Sequence, residues 1–363
     1  MTTDQPTMTP TSTPLLRLWL LIRKNRAYVL VALFLLWVIY AIAQQATSSA
    51  DDMQKFIRLT YAGLTDGMLL SLIALGLVLV FKSTDVINFA HGEFMVLGGF
   101  IGYQLLVWFA PNMNLPLAVL FGVSGMLLVT VLLGIVLERF VLRPLIGEPV
   151  ISVIMVTIGL SNIIAAIVGI FWGNNPRRLP IEVLPNNFFS ESGRIEYLIE
   201  GARRPLFLEH EKLMMVAVVI LVTGALLLFF QRSKHGIAMR ATADDQQAAM
   251  SMGISIQVVF AFAWSLAAVT AALAGMMIAE TSVGMSARDI PVVGLRAFPV
   301  IILGGLDSIT GAIIGGIVIG LIETYTGGYI DPSLKEVVPY LVLLVVLMIR
   351  PYGLFGQEII ERV

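Results

Sequence analysis

The polar residues that could do chemistry in this chain fall in three short stretches, each wedged into apolar sequence. The first is Asp85-Val-Ile-Asn88-Phe-Ala-His91-Gly92-Glu93-Phe94. Its acid, amide and imidazole groups lie between apolar runs that end at Phe81 and resume at Phe94, so the link cannot travel far into water. Ionisable groups at membrane depth are costly and usually face a bundle interior or a water-filled path. Asn88 suits the N-cap of a helix starting at Phe89, and Gly92 admits close backbone approach. The pattern predicts a discontinuous helix whose broken end aims Asn88, His91 and Glu93 inward. A plainer reading is that these groups only satisfy the broken helix and its neighbours. His91 and Glu93, two apart, do not share a helix face, which argues against a metal site. No nucleophile is paired with them, so no catalytic set is expected.

The second stretch, Gly236 to Ile254, carries Arg240, Asp244, Asp245 and Gly253 among Ala, Met and Gln. It is too polar to cross a membrane. Ala, Met and Gln favour helix, Asp244 and Asp245 suit its early turns, and Gly253 fits a C′ stop. A short amphipathic helix across one mouth of the bundle is therefore predicted. Two adjacent acids would be repelled by anionic lipid, so a protein partner suits it better than the membrane surface. In the third stretch, Gly294-Leu-Arg296-Ala-Phe298-Pro299 through Gly304-Gly305-Leu-Asp307-Ser308, Gly and Pro interrupt an apolar segment. Its Val300–Gly305 echoes Phe94–Gly99, a hint of an internal repeat with a site between the halves.

The elements that must hold these stretches are membrane helices. Apolar residues make up 58% of the chain and charged residues 13%, with a mean hydropathy of +0.89. A soluble domain carries about 25% charged residues, so this chain cannot meet water all round. A net charge of −1 excludes a nucleic-acid partner that needs a basic face, and the lack of cysteine excludes disulfides and thiolate chemistry. Spanning takes about 20 residues of helix. Candidate spans are Ala27–Ala43, Asp66–Phe81, Phe94–Ala110, Pro116–Leu137, Ile151–Trp172, Leu213–Phe230 and Gln257–Ala279. Ala297–Gly305 is short, Ile309–Tyr325 is glycine-rich, and Val337–Ile349 precedes Arg350-Pro351. The fold class is thus an all-α integral membrane protein, a polytopic helical bundle of about 8 to 10 transmembrane helices with broken or re-entrant segments.

The basic clusters orient it. Arg17, Arg23, Lys24 and Arg26 precede the first span, Arg139 and Arg143 follow the fourth, and Arg232, Lys234, His235 and Arg240 follow the sixth. With these clusters in the cytoplasm, both termini are cytoplasmic for about ten crossings. Residues 1–26 then form a disordered, basic N-terminus and 27–350 the membrane domain, with a cytoplasmic loop at 236–254 and a tail at 351–363. An external loop spans 173–212, with six basic and six acidic residues; it reads either as a solvated loop or as a docking surface. Gly63/Gly67, Gly311/Gly315 and Gly316/Gly320 place small residues four apart, a helix-packing pattern. No phosphate-binding loop is present: the nearest match, Gly76 to Ser83, has Phe81 in place of the second glycine.

Taken together, Ile87-Asn-Phe-Ala-His-Gly-Glu-Phe94, the Gly236–Ile254 loop, the Phe298–Gly316 segment and the closing Arg350-Pro-Tyr-Gly-Leu-Phe-Gly356 resemble the branched-chain amino-acid permeases of ABC importers. The likeness is to the member of the permease pair bearing Asn-Phe-Ala-His-Gly-Glu, and it covers about Tyr61 to Gly356. The resemblance implies a non-catalytic permease subunit without cofactor or metal, in a bacterial-type plasma (inner) membrane among lipid. Its implied partners are a second homologous permease, two ATP-binding subunits and an extracytoplasmic solute-binding protein. It also implies that Asn88, His91, Glu93 and Phe298 line or brace the substrate path. Arg240, Asp244, Asp245 and Gly253 would belong to the helix that couples to the ATPase. Importers of urea or short amides share these motifs. An ion-driven secondary transporter would need no ATPase, and a membrane enzyme would need a convergent catalytic set.

Overall fold

The computed structural model describes residues 49–173, 175–177, 194–197, 205–280, 285–287 and 289–356. The first span, Ala27–Ala43, most of the 173–212 loop and the end of the tail lie outside them, with the expectations made there. In chain order the helices are α1 (Ala50–Thr84), α2 (His91–Phe109), α3 (Leu115–Leu137), α4 (Val150–Trp172), α5 (His210–Arg232), α6 (Lys234–Asp244), α7 (Gln246–Ser251), α8 (Ile256–Glu280), α9 (Asp289–Leu295), α10 (Ala297–Gly304), α11 (Ile309–Tyr325) and α12 (Val338–Ile349). An antiparallel hairpin, β1 (Arg194–Tyr197) with β2 (Leu206–Glu209), precedes α5 and pairs Arg194 with Glu209. Among the described residues seven helices are long and apolar enough to cross a membrane, with two shorter apolar helices over Ile290–Gly304 and Val338–Ile349. This is an all-α, multi-pass membrane protein.

Two helices form the centre. α1 and α8 bury 72% of their most apolar 18-residue stretch, whereas α3 and α5 bury 22% and α4 28%. Lipid tails are as apolar as leucine, so burial here follows close packing rather than exclusion from water. Small residues supply that packing. On α8, Ala263, Ala267, Ala268, Ala271, Ala272, Ala274 and Ala279 are all buried. The glycine pairs behave as their spacing predicts. A Cβ on Gly67 of α1 would lie 2.8 Å from the Gly316 carbonyl of α11, and one on Gly63 would lie 3.1 Å from the Gly320 carbonyl. Ser71 then donates across the seam to the Ile313 carbonyl, at 2.8 Å.

α1 is longer than its apolar core suggests. It begins sixteen residues before Asp66, at Ala50, because Ser49 caps it by accepting from the Asp52 amide and Asp51 and Asp52 occupy its first turn. It ends at Asp85, which takes the left-handed conformation (φ 55°) and returns its N–H to the Phe81 carbonyl. Near one end of the bundle Tyr61 donates to the Glu209 carbonyl of β2. At the other end Leu79 packs in one cluster with Met239 of α6 and Phe260 of α8. These two ends are called the hairpin end and the loop end.

α9 and α10 together make one interrupted passage. Pro299 cannot donate to the carbonyl of Leu295, four residues earlier, and this missing bond falls at the junction at Arg296. The short segment expected at Ala297–Gly305 is therefore the second half of a broken helix. The echo between Phe94–Gly99 and Val300–Gly305 does not give matching positions. The first lies in the early turns of α2; the second ends α10, where Gly305 (φ 108°) meets Gly356.

Candidate functional site

The segment 85–90 is the non-helical link between the two central-region helices α1 and α2. Gly76, eight residues before the end of α1, has the His91 ring against it: a Cβ there would lie 2.9 Å from His91 Nε2 and would overlap Thr270 Oγ1 of α8. Eight residues of helix are about 12 Å. The chain therefore leaves α1 at the loop end, turns back into the bundle, and starts α2 well inside it. This is the discontinuous helix start expected from the sequence.

The details of that start differ from expectation. α2 begins at His91, not Phe89, and its N-cap position is Ala90, with no side-chain cap. Asn88 instead closes a turn before the helix: its Oδ1 accepts from the Ala90 N–H at 3.0 Å and its carbonyl from the His91 N–H at 3.4 Å. The reason is local, since an Asx turn competes with capping for the same amide oxygen. Asn88 is fully buried and His91 is 2% exposed. By geometry, Asn88 Nδ2 and both imidazole nitrogens of His91 have no hydrogen-bond partner among the described residues. Gly92 allows the next crossing, where its Cα lies against Gly294 and a Cβ on it would come 2.8 Å from Pro291 Cα of α9.

Phe89 ties this turn to two more helices. Its N–H donates to Thr157 Oγ1 of α4 at 3.4 Å, and its ring stacks on Phe298 of α10 with centroids 5.4 Å apart. Asn88, His91 and Phe298 are thus brought to one junction of α1, α2, α4, α8 and α10. Glu93 is half-buried and forms no hydrogen bond or ion pair among the described residues. Sequence reasoning missed one charged pair in this region. Arg296, at the α9–α10 break, forms a bidentate ion pair with Glu323 of α11, whose side chain is 4% exposed. A lone acid in the apolar run Ile309–Tyr325 was the available signal. Among the described residues no three side chains of His, Cys, Asp or Glu converge on a common point.

At the loop end, the stretch expected to be one helix is two. Asp245 takes an extended conformation and caps α7, its Oδ1 accepting from the Ala248 N–H at 2.9 Å. Asp244 is the last residue of α6, not part of an early turn. The cause is the same competition: an aspartate whose carboxylate bonds the backbone three residues on starts a new helix. Gly253 (φ 84°) stops α7 as expected, with the Ile254 N–H returning to the Ala249 carbonyl. Residues 244–248 and 250–253 are exposed, Met252 at 84%. On the inner side, Met239 and Ala249 are buried.

Among the described residues, cavities open at this end. One of about 250 Å³ is lined by Asp85, Glu148, Gln246, Trp264 and neighbours. Another, about 230 Å³, is lined by Lys82, Arg240, Asp307, Ser308 and neighbours; there Lys82 donates to the Asp307 carbonyl at 2.9 Å. Asn88, His91, Glu93 and Phe298 line neither.

Comparison with known proteins accounts for this architecture. The family described as the branched-chain amino acid transport system / permease component matches residues 59–347. The chain is 30% identical over 319 residues to the high-affinity branched-chain amino acid transport system permease protein BraD of Pseudomonas aeruginosa, covering 86% of this chain and 99% of that protein. It is 27% identical to the corresponding permease protein LivH of Escherichia coli K12, over 86% and 100% of the two chains. To the probable branched-chain amino acid transport permease protein LivH of Methanocaldococcus jannaschii it is 28% identical, over 80% and 89%. Among solved structures, PsaBC from Streptococcus pneumoniae in complex with Fab aligns over 86% and 97% at 12% identity, with a TM-score of 0.40, too distant to carry an argument. The match over most of the chain, on a bundle of spanning helices, makes the chain a member of the branched-chain amino acid transport system permease family.

Proposed function

We propose that this chain is the non-catalytic permease subunit of an ABC importer for branched-chain or similar small amino acids, driven by separate ATP-binding subunits. Its relatives are named for that transport, which supports the solute class. The observation that carries the coupling half is the α6–α7 element. It is polar, with Asp244 and Asp245 together on its exposed side, and capped by Ser233 and Asp245, yet its inner side packs on the central helices, where Met239 meets Leu79 and Phe260. A push on α6–α7 is therefore delivered to α1 and α8, the helices that hold His91 between Gly76 and Thr270.

In this reading the loop end is cytoplasmic and the hairpin end faces the solute-binding protein. ATP binding closes the ATPase dimer, α6–α7 moves as a lever, and a permease pair rocks about a central path. Asn88, His91, Glu93 and Phe298 brace or line that path. The Asn88 amide nitrogen and the His91 imidazole, without partners among the described residues, supply hydrogen-bonding capacity there. The lack of a phosphate-binding loop fits a motor on another chain. The test is to purify the tagged chain from its native membrane in mild detergent and identify its companions by mass spectrometry. A second permease and two ATP-binding subunits are expected. A chain that comes alone, and transports in liposomes without ATP, would overturn the proposal in favour of a gradient-driven carrier.

A further inference from the structure

The loop-end cavities differ in charge. The one of about 230 Å³ is lined by the cations Lys82 and Arg240. Among the described residues, the one of about 250 Å³ has no Lys, Arg or His in its lining, and its ionisable groups are the carboxylates of Asp85 and Glu148. Neither carboxylate forms a hydrogen bond or ion pair among the described residues. The basic residue nearest Glu148 in sequence, Arg143, is held by Glu138 at 2.8 Å. Lys82, nearest Asp85, turns to the Asp307 carbonyl in the other cavity. Asp85 is also the one non-glycine residue with positive φ among the described residues. A glycine would take that conformation without strain, so the backbone alone does not call for a carboxylate there.

The floor of this cavity is apolar: Val86, Val153, Phe260 and Trp264 are all buried. Trp264 is 1% exposed, and its indole N–H has no acceptor among the described residues. An indole can only donate, and a buried donor left unpaired is costly. The floor also adjoins the Asn88–His91 turn. Val86 precedes Asn88 by two residues, Val153 lies one turn before the Thr157 that accepts the Phe89 N–H, and Trp264 sits edge-on to Phe94.

We infer that this cavity is an inner site for the solute, which holds a small amino acid by its ammonium group as it leaves the central path. This rests on the solute class proposed above. The ammonium group meets the unpaired carboxylates of Asp85 and Glu148, a charge-assisted contact. The solute carboxylate meets donors in the Trp264 indole and the Gln246 amide. An apolar side chain lies against Val86, Val153 and Phe260. An inorganic cation would use the carboxylates but not the apolar floor, and an anionic lipid headgroup would be repelled. Gln246 is the first residue of α7, so displacement of the α6–α7 element reshapes the cavity and ties release to the coupling movement.

The chain has no cysteine, so one introduced thiol reports one position. Ile146→Cys lies in the cavity wall, and Tyr352→Cys is an exposed loop-end position outside it. Each is labelled with a water-soluble maleimide in the chain as purified with its companions, with L-leucine, 4-methylpentanoate or no addition. Leucine is expected to slow labelling of Ile146→Cys and leave Tyr352→Cys unchanged. 4-Methylpentanoate, which lacks the ammonium group, is expected to slow neither. Adding Asp85→Asn, which keeps a residue tolerant of left-handed backbone, should raise the leucine concentration needed by about tenfold. Asp85→Asn with Glu148→Gln should abolish protection. Equal protection by the two compounds, or undiminished protection in that double variant, overturns the site. Ile146→Cys that no maleimide reaches would show the cavity closed to solute and overturn it too. If a preparation imports leucine with ATP yet shows no protection, this inference is wrong and the importer reading stands. If it neither imports leucine nor is protected by it, the proposed solute class fails, and this inference with it.

Discussion

The Asn88–His91 turn and the Asp244–Gly253 element are both breaks between helices set by a side chain that bonds the backbone, yet they are built for opposite ends. At the first, Asn88 and His91 are 0% and 2% exposed, and five helices meet around them. At the second, every residue from Asp244 to Gly253 is exposed except Ala249. A polar group inside the bundle is constrained by everything it touches, so changing it disturbs packing. A polar group on the outer side of α6–α7 touches little of its own chain, so changing it should disturb only a partner.

Substitutions ordered by their effect on stability sharpen or break this contrast. Gly76→Leu comes first. The new side chain must occupy the space of the His91 ring and Thr270, where three helices meet, so the cost should exceed the roughly 1–3 kcal/mol of ordinary overpacking. Loss of the monodisperse peak in detergent gel filtration is expected. Glu323→Ala comes second. It leaves Arg296 without its partner at the α9–α10 break, and removal of one member of a buried pair costs about 3–5 kcal/mol. The lower end applies because the Arg296 side chain is 27% exposed. The double variant Arg296→Met with Glu323→Leu should recover most of the melting temperature that the single variant loses.

Asn88→Ala is third. It leaves the buried Ala90 N–H without its acceptor, at roughly 1–3 kcal/mol, read as a lower thermal midpoint. The smallest stability effect belongs to Asp244→Asn with Asp245→Asn, which keeps the α7 cap because asparagine caps as well as aspartate. Its midpoint should stay within about 0.5 kcal/mol of the parent, while uptake falls. The double charge reversal to lysine should abolish uptake with membrane insertion intact, but it also removes the cap. The asparagine pair therefore isolates the charge. A midpoint lowered as far as that of Asn88→Ala would erase the distinction between the two regions.

Much of this was legible in the sequence. The spans from Asp66 onward, the glycine seams and the helix break within 85–94 all follow from apolar runs, small-residue spacing and polar residues stranded between them. What was not legible depends on competition at single residues. Asn88 and Asp245 each could cap a helix in more than one register, and only the surrounding packing decides which amide they take. The Arg296–Glu323 pair was hidden for another reason: its partners lie 27 residues apart, and nothing local links them. Arg240, Asp244 and Asp245 lie on one polar stretch, but the helix break at Asp245 was not foreseen.

The most direct test of the central claim is solute uptake into proteoliposomes containing the co-purified complex and its binding protein, with ATP inside, with and without an ionophore. Leucine uptake that requires ATP, survives collapse of the ion gradients and disappears with Asp244→Lys plus Asp245→Lys is the result this account expects. Uptake that persists without ATP and collapses with the gradient would contradict it.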